Sequence, residues 1–265
     1  MKTLEAAGVT VRFGGLLAVD EATIAVPEGG FVGLIGPNGA GKTTLFNAIS
    51  GFITPTRGAI RFMGRDVTDY GASKRAKLGI GRTFQKLELF SRMSVFDNLL
   101  VAAESAASRL DVASDILHLP RRAKEEKRCA AIAEQIMDEV GLTPVRDQRA
   151  SDLPVGTART LELARALCTD PKLLLLDEPS SGLDTSETRQ FGKLLRRIND
   201  DRGTAILIVE HDMDLVMEVC KEIYVLDFGR MIAHGTPKEV AGNTAVRTAY
   251  LGEEDDAAAA PVAER

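Results

Sequence analysis

The stretch Gly36-Pro-Asn-Gly-Ala-Gly-Lys42-Thr43-Thr44 decides the class of fold. It follows the apolar run Phe31–Ile35, which has the composition of a buried strand, and leads into the helix-like run Leu45–Ser50. In a strand–loop–helix of spacing GxxxxGK[ST], the glycines let successive backbone N–H groups face one anion. We therefore predict a phosphate-binding loop made of Gly36, Pro37, Asn38, Gly39, Ala40, Gly41, Lys42, Thr43 and Thr44.

The side chains of this loop indicate which anion it holds. Lys42 is expected to reach the β- and γ-phosphates of a nucleoside triphosphate, and the Thr43 hydroxyl is expected to ligate Mg²⁺. The helix that follows adds the positive end of its dipole. Such loops occur in ATPases, GTPases and kinases alike, but the sequence contains no NKxD stretch, which disfavours the GTPase interpretation.

Acidic residues and a histidine follow two further apolar runs. Leu173–Leu176 leads into Asp177 and Glu178, and Ala205–Val209 leads into the sequence that contains His211. Ligands of open α/β sheets bind at the carboxyl ends of the strands. We predict that Asp177 holds Mg²⁺ through its water shell and that Glu178 polarises the attacking water. His211 is predicted to contact the γ-phosphate and that same water.

The rest of the chain indicates an α/β fold with a largely parallel central sheet, because short apolar runs alternate with helical patterns. The runs LLLL and AILIV lack polar alternation, as expected for strands covered on both faces. Further strands are predicted at Val9–Phe13, Ala59–Phe62, Gly79–Thr83, Ile223–Leu226 and Met231–Ala233.

The middle of the chain differs, since no strand pattern is found from Ser94 to about Leu167. Ser94 and Asp97 have the spacing of a helix start, and Ile132, Ile136 and Val140 form one stripe of a helix. The charge run at 121–128 is interpreted as a solvated helix face. A helical subdomain is therefore predicted to be inserted into the α/β core.

Composition narrows the function classes. The net charge of −5 gives no general attraction to nucleic acid, and the three cysteines are scattered rather than spaced as a disulfide framework or zinc site. The first residues lack the apolar core of a signal peptide, and no run approaches the ~20 apolar residues of a membrane span. Any membrane role is thus expected to depend on a partner.

His118 and His234 are expected on the surface or in loops, and Glu253–Arg265 is expected to be a disordered acidic and alanine-rich tail.

Taken in order, these motifs resemble the ATPases of ABC transporters. The phosphate loop is followed by Gln85, the run LLLLDEP, Ser181-Gly-Leu-Asp184 and His211. The resemblance covers roughly residues 4–252. It implies a P-loop NTPase core with a largely parallel sheet, an antiparallel β edge and an all-helical subdomain at about 86–167.

The same resemblance implies roles for individual residues. Gln85 would be a Mg²⁺ ligand at the hinge to the helical subdomain. Asp184 would reach across a dimer of ATPases, and Phe13 would stack on adenine. ATP and Mg²⁺ are the implied cofactors, and hydrolysis would involve Glu178, His211, Gln85 and Lys42.

Several stretches look like the ATPases of branched-chain amino acid importers, among them Arg82-Thr-Phe-Gln-Lys-Leu-Glu-Leu-Phe90, Asp97-Asn-Leu-Leu-Val101, Glu210-His-Asp-Met213 and Ala249-Tyr-Leu-Gly-Glu253. This implies a bacterial-type importer of branched-chain amino acids or a related small polar solute. The chain would be peripheral, on the cytoplasmic face of the inner membrane. Its partners would be two permease subunits, a second identical or sibling ATPase and, indirectly, a solute-binding protein, with no nucleic acid.

Two alternatives stay open. ATPases that power lipopolysaccharide or lipid export share a similar ending, including Ile232-Ala-His-Gly-Thr-Pro237. A soluble ABC ATPase of DNA repair or translation is disfavoured by the single ATPase domain, the lack of long heptads and the acidic balance.

One segment departs from the family. Its usual signature is LSGGQ, whereas this chain has Leu153-Pro154-Val155-Gly156-Thr157. Gly156 is retained and is implied to contact ATP held by the partner subunit. Pro154 brings neither a hydroxyl nor a backbone N–H, and losing one donor that acts in the transition state typically costs ~10²–10³ in rate. Either the site completed by this signature is slow, or the remaining amides suffice and both sites are equal.

Overall fold

The computed structural model describes residues 1–107 and 119–250. The chain divides into two compact units, the first made of residues 1–72 and those from 205 onward, the second of residues 73–204. His118 and the predicted disordered tail lie outside the described residues. The strands are β1 (Lys2–Phe13), β2 (Leu16–Pro27), β3 (Phe31–Ile35), β4 (Arg57–Phe62), β5 (Arg65–Asp66), β6 (Ile80–Arg82), β7 (Leu173–Asp177), β8 (Ala205–Val209), β9 (Glu222–Asp227) and β10 (Arg230–Gly235). The helices are α1 (Lys42–Ser50), α2 (Ala72–Leu78), α3 (Val95–Ala107), α4 (Leu119–Glu139), α5 (Val155–Leu167), α6 (Thr185–Arg202), α7 (Met213–Val219) and α8 (Pro237–Gly242).

Parallel pairing in the first unit places the phosphate loop at a sheet edge. Strands β10, β9, β3 and β8 lie side by side in that order, with β3 parallel to both β9 and β8. Every residue of β3 and β8 is buried, as their unbroken apolar composition predicts. All three parallel strands therefore end at the same edge, where the loop after β3 begins.

An antiparallel sheet, in the order β2-β1-β4-β5, completes the strands described in this unit. Sequence analysis predicted the end of β1 but not its first half, because the ladder between β1 and β2 shifts register near Gly8, which has φ 59°. Strand β2 was missed, although Ala22, Ile24 and Val26 alternate as buried residues. Its pattern is interrupted at Glu21, which has φ 50°. The two-residue strand β5 was also missed.

In the second unit, β6 runs parallel to β7, with Arg82 paired to Leu175. The described residues between 94 and 167 contain helices and two short 3₁₀ turns but no strand, only an isolated bridge from Ser94 to Arg149. The predicted helix start is confirmed, since the Ser94 hydroxyl accepts from the Asp97 backbone N–H at 3.0 Å. The bounds of a nested helical subdomain stay a prediction.

The buried stripe of α4 differs in part from the predicted one. Ile136 and Val140 are buried, but Ile132 is only half-buried. The stripe instead runs through Cys129, Ala133, Ile136 and Met137, and the buried Val140 follows directly after the helix. Residues 124–128 of the charge run are exposed, as expected for a solvated face.

Across the described part of the chain, none of the helices is long and apolar enough to cross a membrane.

Candidate functional site

The predicted phosphate loop lies in the first unit, between β3 and α1. Gly36 has φ 150°, and a Cβ there would lie 1.9 Å from the backbone oxygen of Leu226. Gly41 has φ 99°, and its Cβ would lie 2.4 Å from the backbone oxygen of Ala18. Only glycine allows this backbone conformation and this close approach. The motif glycines are thus required for the shape of the loop itself.

The Lys42 side chain lies over this loop. It is 8% exposed, and its ammonium donates hydrogen bonds to the carbonyl oxygens of Gly36 at 2.6 Å and Pro37 at 2.8 Å. The positive charge is thereby held beside the N-terminus of α1, where the helix dipole also favours an anion. The Thr43 side chain is exposed. Of the remaining loop positions, Pro37 and Ala40 are buried, Gly41 and Thr44 are half-buried, and Asn38 and Gly39 are exposed.

His211 leaves the sheet at the same level as the loop. Leu34 of β3 pairs with Val209 of β8, so Gly36 and His211 each lie two residues beyond a paired position. The His211 side chain is exposed, while the preceding Glu210 is fully buried. A carboxylate oxygen of Glu210 accepts from the His211 backbone N–H at 3.1 Å. Sequence analysis missed Glu210, which fixes the turn that presents His211.

Phe13, the predicted adenine-stacking residue, is the last residue of β1 and pairs with Leu16 across the turn to β2. Half of its surface is exposed. An aromatic ring with this much exposed surface is available for stacking on a flat ligand.

In the second unit, Asp177 ends β7 and is paired with Arg82, which ends β6. The Arg82 guanidinium donates to Asp177 Oδ2 at 3.0 Å, and both side chains are about nine-tenths buried. Burial raises the pKa of the Asp177 carboxyl above its ordinary value, and the Arg82 charge opposes that rise. Burial also lowers the pKa of Arg82. Sequence analysis missed this ion pair, which neutralises the predicted Mg²⁺-binding carboxylate from the neighbouring strand.

Gln85 and Glu178, two residues predicted to act in hydrolysis, are in direct contact. The Gln85 side-chain amide donates to Glu178 Oε2 at 2.8 Å. Glu178 is half-buried and has φ 46°, which few non-glycine residues adopt. Such strain is characteristic of functional sites, where surrounding contacts maintain it.

The Asp184 carboxylate caps helix α6. It accepts from the Glu187 backbone N–H at 2.8 Å, and the Glu187 carboxylate accepts from the Asp184 N–H at 3.0 Å, forming a capping box. The predicted reach of Asp184 across a dimer interface stays a prediction. The structure adds that this residue also fixes the start of the helix after the SGLD stretch.

The signature segment forms the N-terminus of α5. Pro154 is the N-cap residue, with φ −55° and ψ 154°, and Val155 after it is exposed. A Cβ at Gly156 would lie 2.9 Å from Oε1 of Glu187, so a larger residue would displace that carboxylate. The first turn of α5 thus places the amides of Val155, Gly156 and Thr157 at the positive end of a 13-residue helix.

The predicted site residues therefore fall into two sets. The first unit contains the phosphate loop, Phe13 and His211; the second contains Gln85, Asp177, Glu178, Gly156 and Asp184. That both sets share one nucleotide stays a prediction. Within the described residues, no group of three or more His, Cys, Asp or Glu side chains could hold a metal ion alone.

Comparison with known proteins identifies the family. The family model described as "ABC transporter" matches residues 19–181, and the model described as "Branched-chain amino acid ATP-binding cassette transporter" matches residues 230–256. The chain is 40% identical over 246 residues to the high-affinity branched-chain amino acid transport ATP-binding protein LivG of Salmonella typhimurium, covering 93% of this chain and 96% of the relative. It is 34% identical over 254 residues to the lipopolysaccharide export system ATP-binding protein LptB of Escherichia coli, covering 96% and 99%.

A solved structure agrees with these relatives. An ATP-binding cassette of an ABC transporter, crystallised in its ADP conformation, matches with a TM-score of 0.81 and 29% identity, covering 95% of this chain and 99% of that one. The predicted fold class, a P-loop NTPase core with added antiparallel and helical elements, is thereby confirmed. The chain belongs to the ABC transporter family, as an ATP-binding subunit that hydrolyses ATP.

Proposed function

We propose that this chain powers the uptake of branched-chain amino acids, as one of two ATPases bound to a pair of membrane permeases that receive solute from a binding protein. The observation that carries the proposal is the match of residues 230–256 to the branched-chain amino acid cassette family. The higher identity to LivG, 40% against 34% for LptB, supports import over lipopolysaccharide export.

ATP would be held first by the phosphate loop. Backbone N–H groups of residues 36–44 and the dipole of α1 would bind the phosphates. A γ-phosphate oxygen would compete with the carbonyls of Gly36 and Pro37 for the Lys42 ammonium. The exposed ring of Phe13 would stack on adenine.

Mg²⁺ would be held by oxygen atoms of Thr43, Gln85 and Asp177, with water and phosphate oxygens completing its coordination. Hydroxyl, amide and carboxylate oxygens are ligands that Mg²⁺ prefers, so these residues fit the ion. The bound ion would neutralise charge that develops on the phosphates. The hydrogen bond and charge of Arg82 oppose the rise in the Asp177 pKa that burial causes, and so favour the ionised carboxylate that this role uses.

Hydrolysis would depend on Glu178, which would orient the attacking water. The hydrogen bond from Gln85 holds this carboxylate in position. His211, presented by the buried Glu210, would contact the γ-phosphate and the same water.

Two such ATPases would close on two ATP molecules. The α5 N-terminus, with Gly156, and the SGLD stretch, with Asp184, would contact the nucleotide held by the opposite subunit. ATP thus binds the closed pair more tightly than the open one, and hydrolysis reverses the preference. Pro154 and Thr157 would make the site completed by this signature slow, or the remaining amides would suffice; the two hypotheses stay open.

Coupling to the permease would use Gln85 and the segment 86–90 that follows it, and we extend this surface to Met93. Leu87, Phe90 and Met93 are each about 40% exposed, so each could offer an apolar side chain to a short cytoplasmic permease helix. Arg165 supports this segment, since its guanidinium lies 4.8 Å from the centre of the Phe90 ring and donates to the Glu88 carbonyl. Docking there would place the chain on the cytoplasmic face of the membrane.

Reconstitution tests the proposal. The chain is assembled in proteoliposomes with the permeases and binding protein encoded beside it, and uptake of labelled leucine and ATP turnover are measured. We expect ATP-dependent leucine uptake that stops when Glu178→Gln replaces the wild-type chain. If the chain instead assembles with lipopolysaccharide-export permeases and its ATP turnover does not respond to leucine, the export alternative is favoured.

A further inference from the structure

A single buried guanidinium connects three segments of the second unit. Arg159 lies on the second turn of α5 and is 5% exposed. It donates to the carbonyl oxygens of Gln85 at 2.9 Å, Phe84 at 3.4 Å and Ser181 at 3.2 and 3.3 Å. A fifth hydrogen bond reaches Glu162 Oε2 at 3.1 Å. Carbonyl oxygens of both the Gln85 segment and the SGLD stretch thus converge on one side chain.

Both carbonyl-bearing segments also hold Glu178. Gln85 accepts from Arg159 through its backbone and donates to the Glu178 carboxylate through its side chain. Ser181 accepts from Arg159 through its backbone oxygen, and its backbone N–H donates to the Glu178 carbonyl at 3.1 Å. Glu178 is therefore attached to Arg159 on both sides by one intervening residue. These contacts help to maintain its unfavourable φ of 46°.

Glu162 completes the arrangement. It is 6% exposed and accepts from the Phe84 backbone N–H at 3.2 Å as well as from Arg159. Burial raises the pKa of Glu162, while the Phe84 N–H and the Arg159 charge oppose the rise. Arg159 and Glu162 are thus hydrogen-bonded to the backbone as well as to each other. This is the condition under which a buried ion pair is tolerated.

We propose that Arg159 is a positioning residue, which sets the placement of the Glu178 carboxylate through Gln85 and Ser181. The placement of this carboxylate therefore depends on the position of helix α5, whose N-terminus is the signature segment. A change in α5 at its N-terminus would then alter the geometry of the attacking water in the same subunit. A lysine could not replace it fully, since an ammonium lacks the planar fork that reaches several carbonyls at once. The inference rests on the proposed role of Glu178.

The test is a double-mutant cycle in the assembled transporter. ATP turnover is measured for wild type, Arg159→Met, Glu178→Gln and the double variant, together with nucleotide affinity and Tm. Arg159→Lys is examined in parallel and replaces Arg159→Met if that variant does not fold. Arg146→Met is the control, because Arg146 forms ion pairs with the exposed Glu134 and Asp147, which contribute little.

We expect Arg159→Met to lower kcat about 10²-fold, the typical effect of a reacting group misplaced by about 1 Å. Nucleotide affinity should change by less than about threefold, because the phosphate loop is unaltered. In the Glu178→Gln background the substitution should cause no further loss, since it acts through that carboxylate. Arg159→Lys should lie between Met and wild type, and Arg146→Met should match wild type.

Multiplicative losses in the double variant, or a fall in Tm with kcat unchanged, would overturn the proposal. If Glu178→Gln alone retained wild-type turnover, the proposed role of Glu178 would fail instead. The two failures are therefore distinguishable.

Discussion

The side-chain amide of Gln85 donates a 2.8 Å hydrogen bond to Oε2 of Glu178, across 93 positions of the chain. Glu178 has φ 46°, a conformation that costs a non-glycine residue on the order of 1–3 kcal/mol. A strained carboxylate held by an amide from a neighbouring segment is oriented before the substrate arrives. Such preorganisation is what a group that aligns an attacking water requires.

Replacing Glu178 with glutamine should separate binding from hydrolysis. The amide keeps the size of the side chain but loses the charge that polarises water, so we expect turnover to fall by about 10²–10³-fold. ATP affinity should remain near wild type, and the closed pair of ATPases should accumulate in ATP. Turnover by phosphate release and dimer formation by size-exclusion chromatography measure both effects. Glu218→Gln, at an exposed position of α7, is the control; turnover near wild type for Glu178→Gln would remove the residue from this role.

Replacing Lys42 with alanine should weaken nucleotide binding itself. The substitution removes a positive charge held over the phosphate loop by two backbone carbonyls. We expect affinity for ATP to fall by at least about tenfold, the effect of losing a charge-assisted hydrogen bond. Equilibrium titration with a fluorescent ATP analogue measures the change, with the exposed Lys238→Ala as control. Unchanged affinity would mean that the loop does not hold the phosphates.

Removing Arg82 should change the pH dependence of activity. The pKa of Asp177 is already raised above 3.8 by burial, and Arg82 opposes the rise by its charge and its hydrogen bond. Arg82→Met therefore raises this pKa further, and more of the carboxyl is protonated at a given pH. We expect the acid limb of the pH–rate profile to move to higher pH. The Mg²⁺ concentration needed for half-maximal turnover should also increase. The exposed Arg57→Met is the control, and an unmoved acid limb would contradict the proposed link.

The raised pKa of Asp177 also makes the free energy of unfolding depend on pH. Because this pKa is higher in the folded than in the unfolded chain, the carboxyl stabilises the folded state when the pH is below its pKa in the unfolded chain. That contribution is lost as the pH rises through the folded pKa. Glu162 behaves in the same direction. In Arg82→Met the loss should extend to higher pH, which chemical denaturation at several pH values would detect.

Much of the site could be predicted because its residues follow from local rules. The glycines at 36 and 41 are dictated by close backbone approach, and the spacing to Lys42 identifies the loop without structural information. Asp177 follows an unbroken apolar strand, which signals the carboxyl edge of a sheet. The roles of Gln85 and Asp184 came from family resemblance, because nothing in the local sequence distinguishes them.

The residues that were missed are buried charges whose partners are distant in the chain. Arg82 contacts Asp177 across 95 positions, and Arg159 contacts Gln85 across 74. In sequence, Arg159 has the appearance of an ordinary polar residue on a helix. Glu210 was hidden beside the more conspicuous His211, although an acid directly after a buried strand was an available signal. Strand β2 was missed for a different reason, since register shifts interrupt the alternation on which strand prediction depends.

The unusual signature gives a prediction that also reports the composition of the ATPase pair. Pro154 supplies neither hydroxyl nor N–H at the N-cap of α5, and Thr157 replaces the usual glutamine. If this makes the completed site slow, Pro154→Ser with Thr157→Gln should restore the missing donors and raise turnover.

The size of the rise depends on how many sites carry this signature. In a pair with a sibling ATPase only one site is affected, and removing its defect should raise total turnover roughly twofold when the sites act independently. In a pair of identical chains both sites are affected, and the rise should approach the ~10²-fold effect of one transition-state donor. Steady-state turnover of the assembled transporter measures it, with the exposed Ser151→Ala as control. No rise in either assembly would show that the amides of Val155, Gly156 and Thr157 already suffice and that the sites are equal.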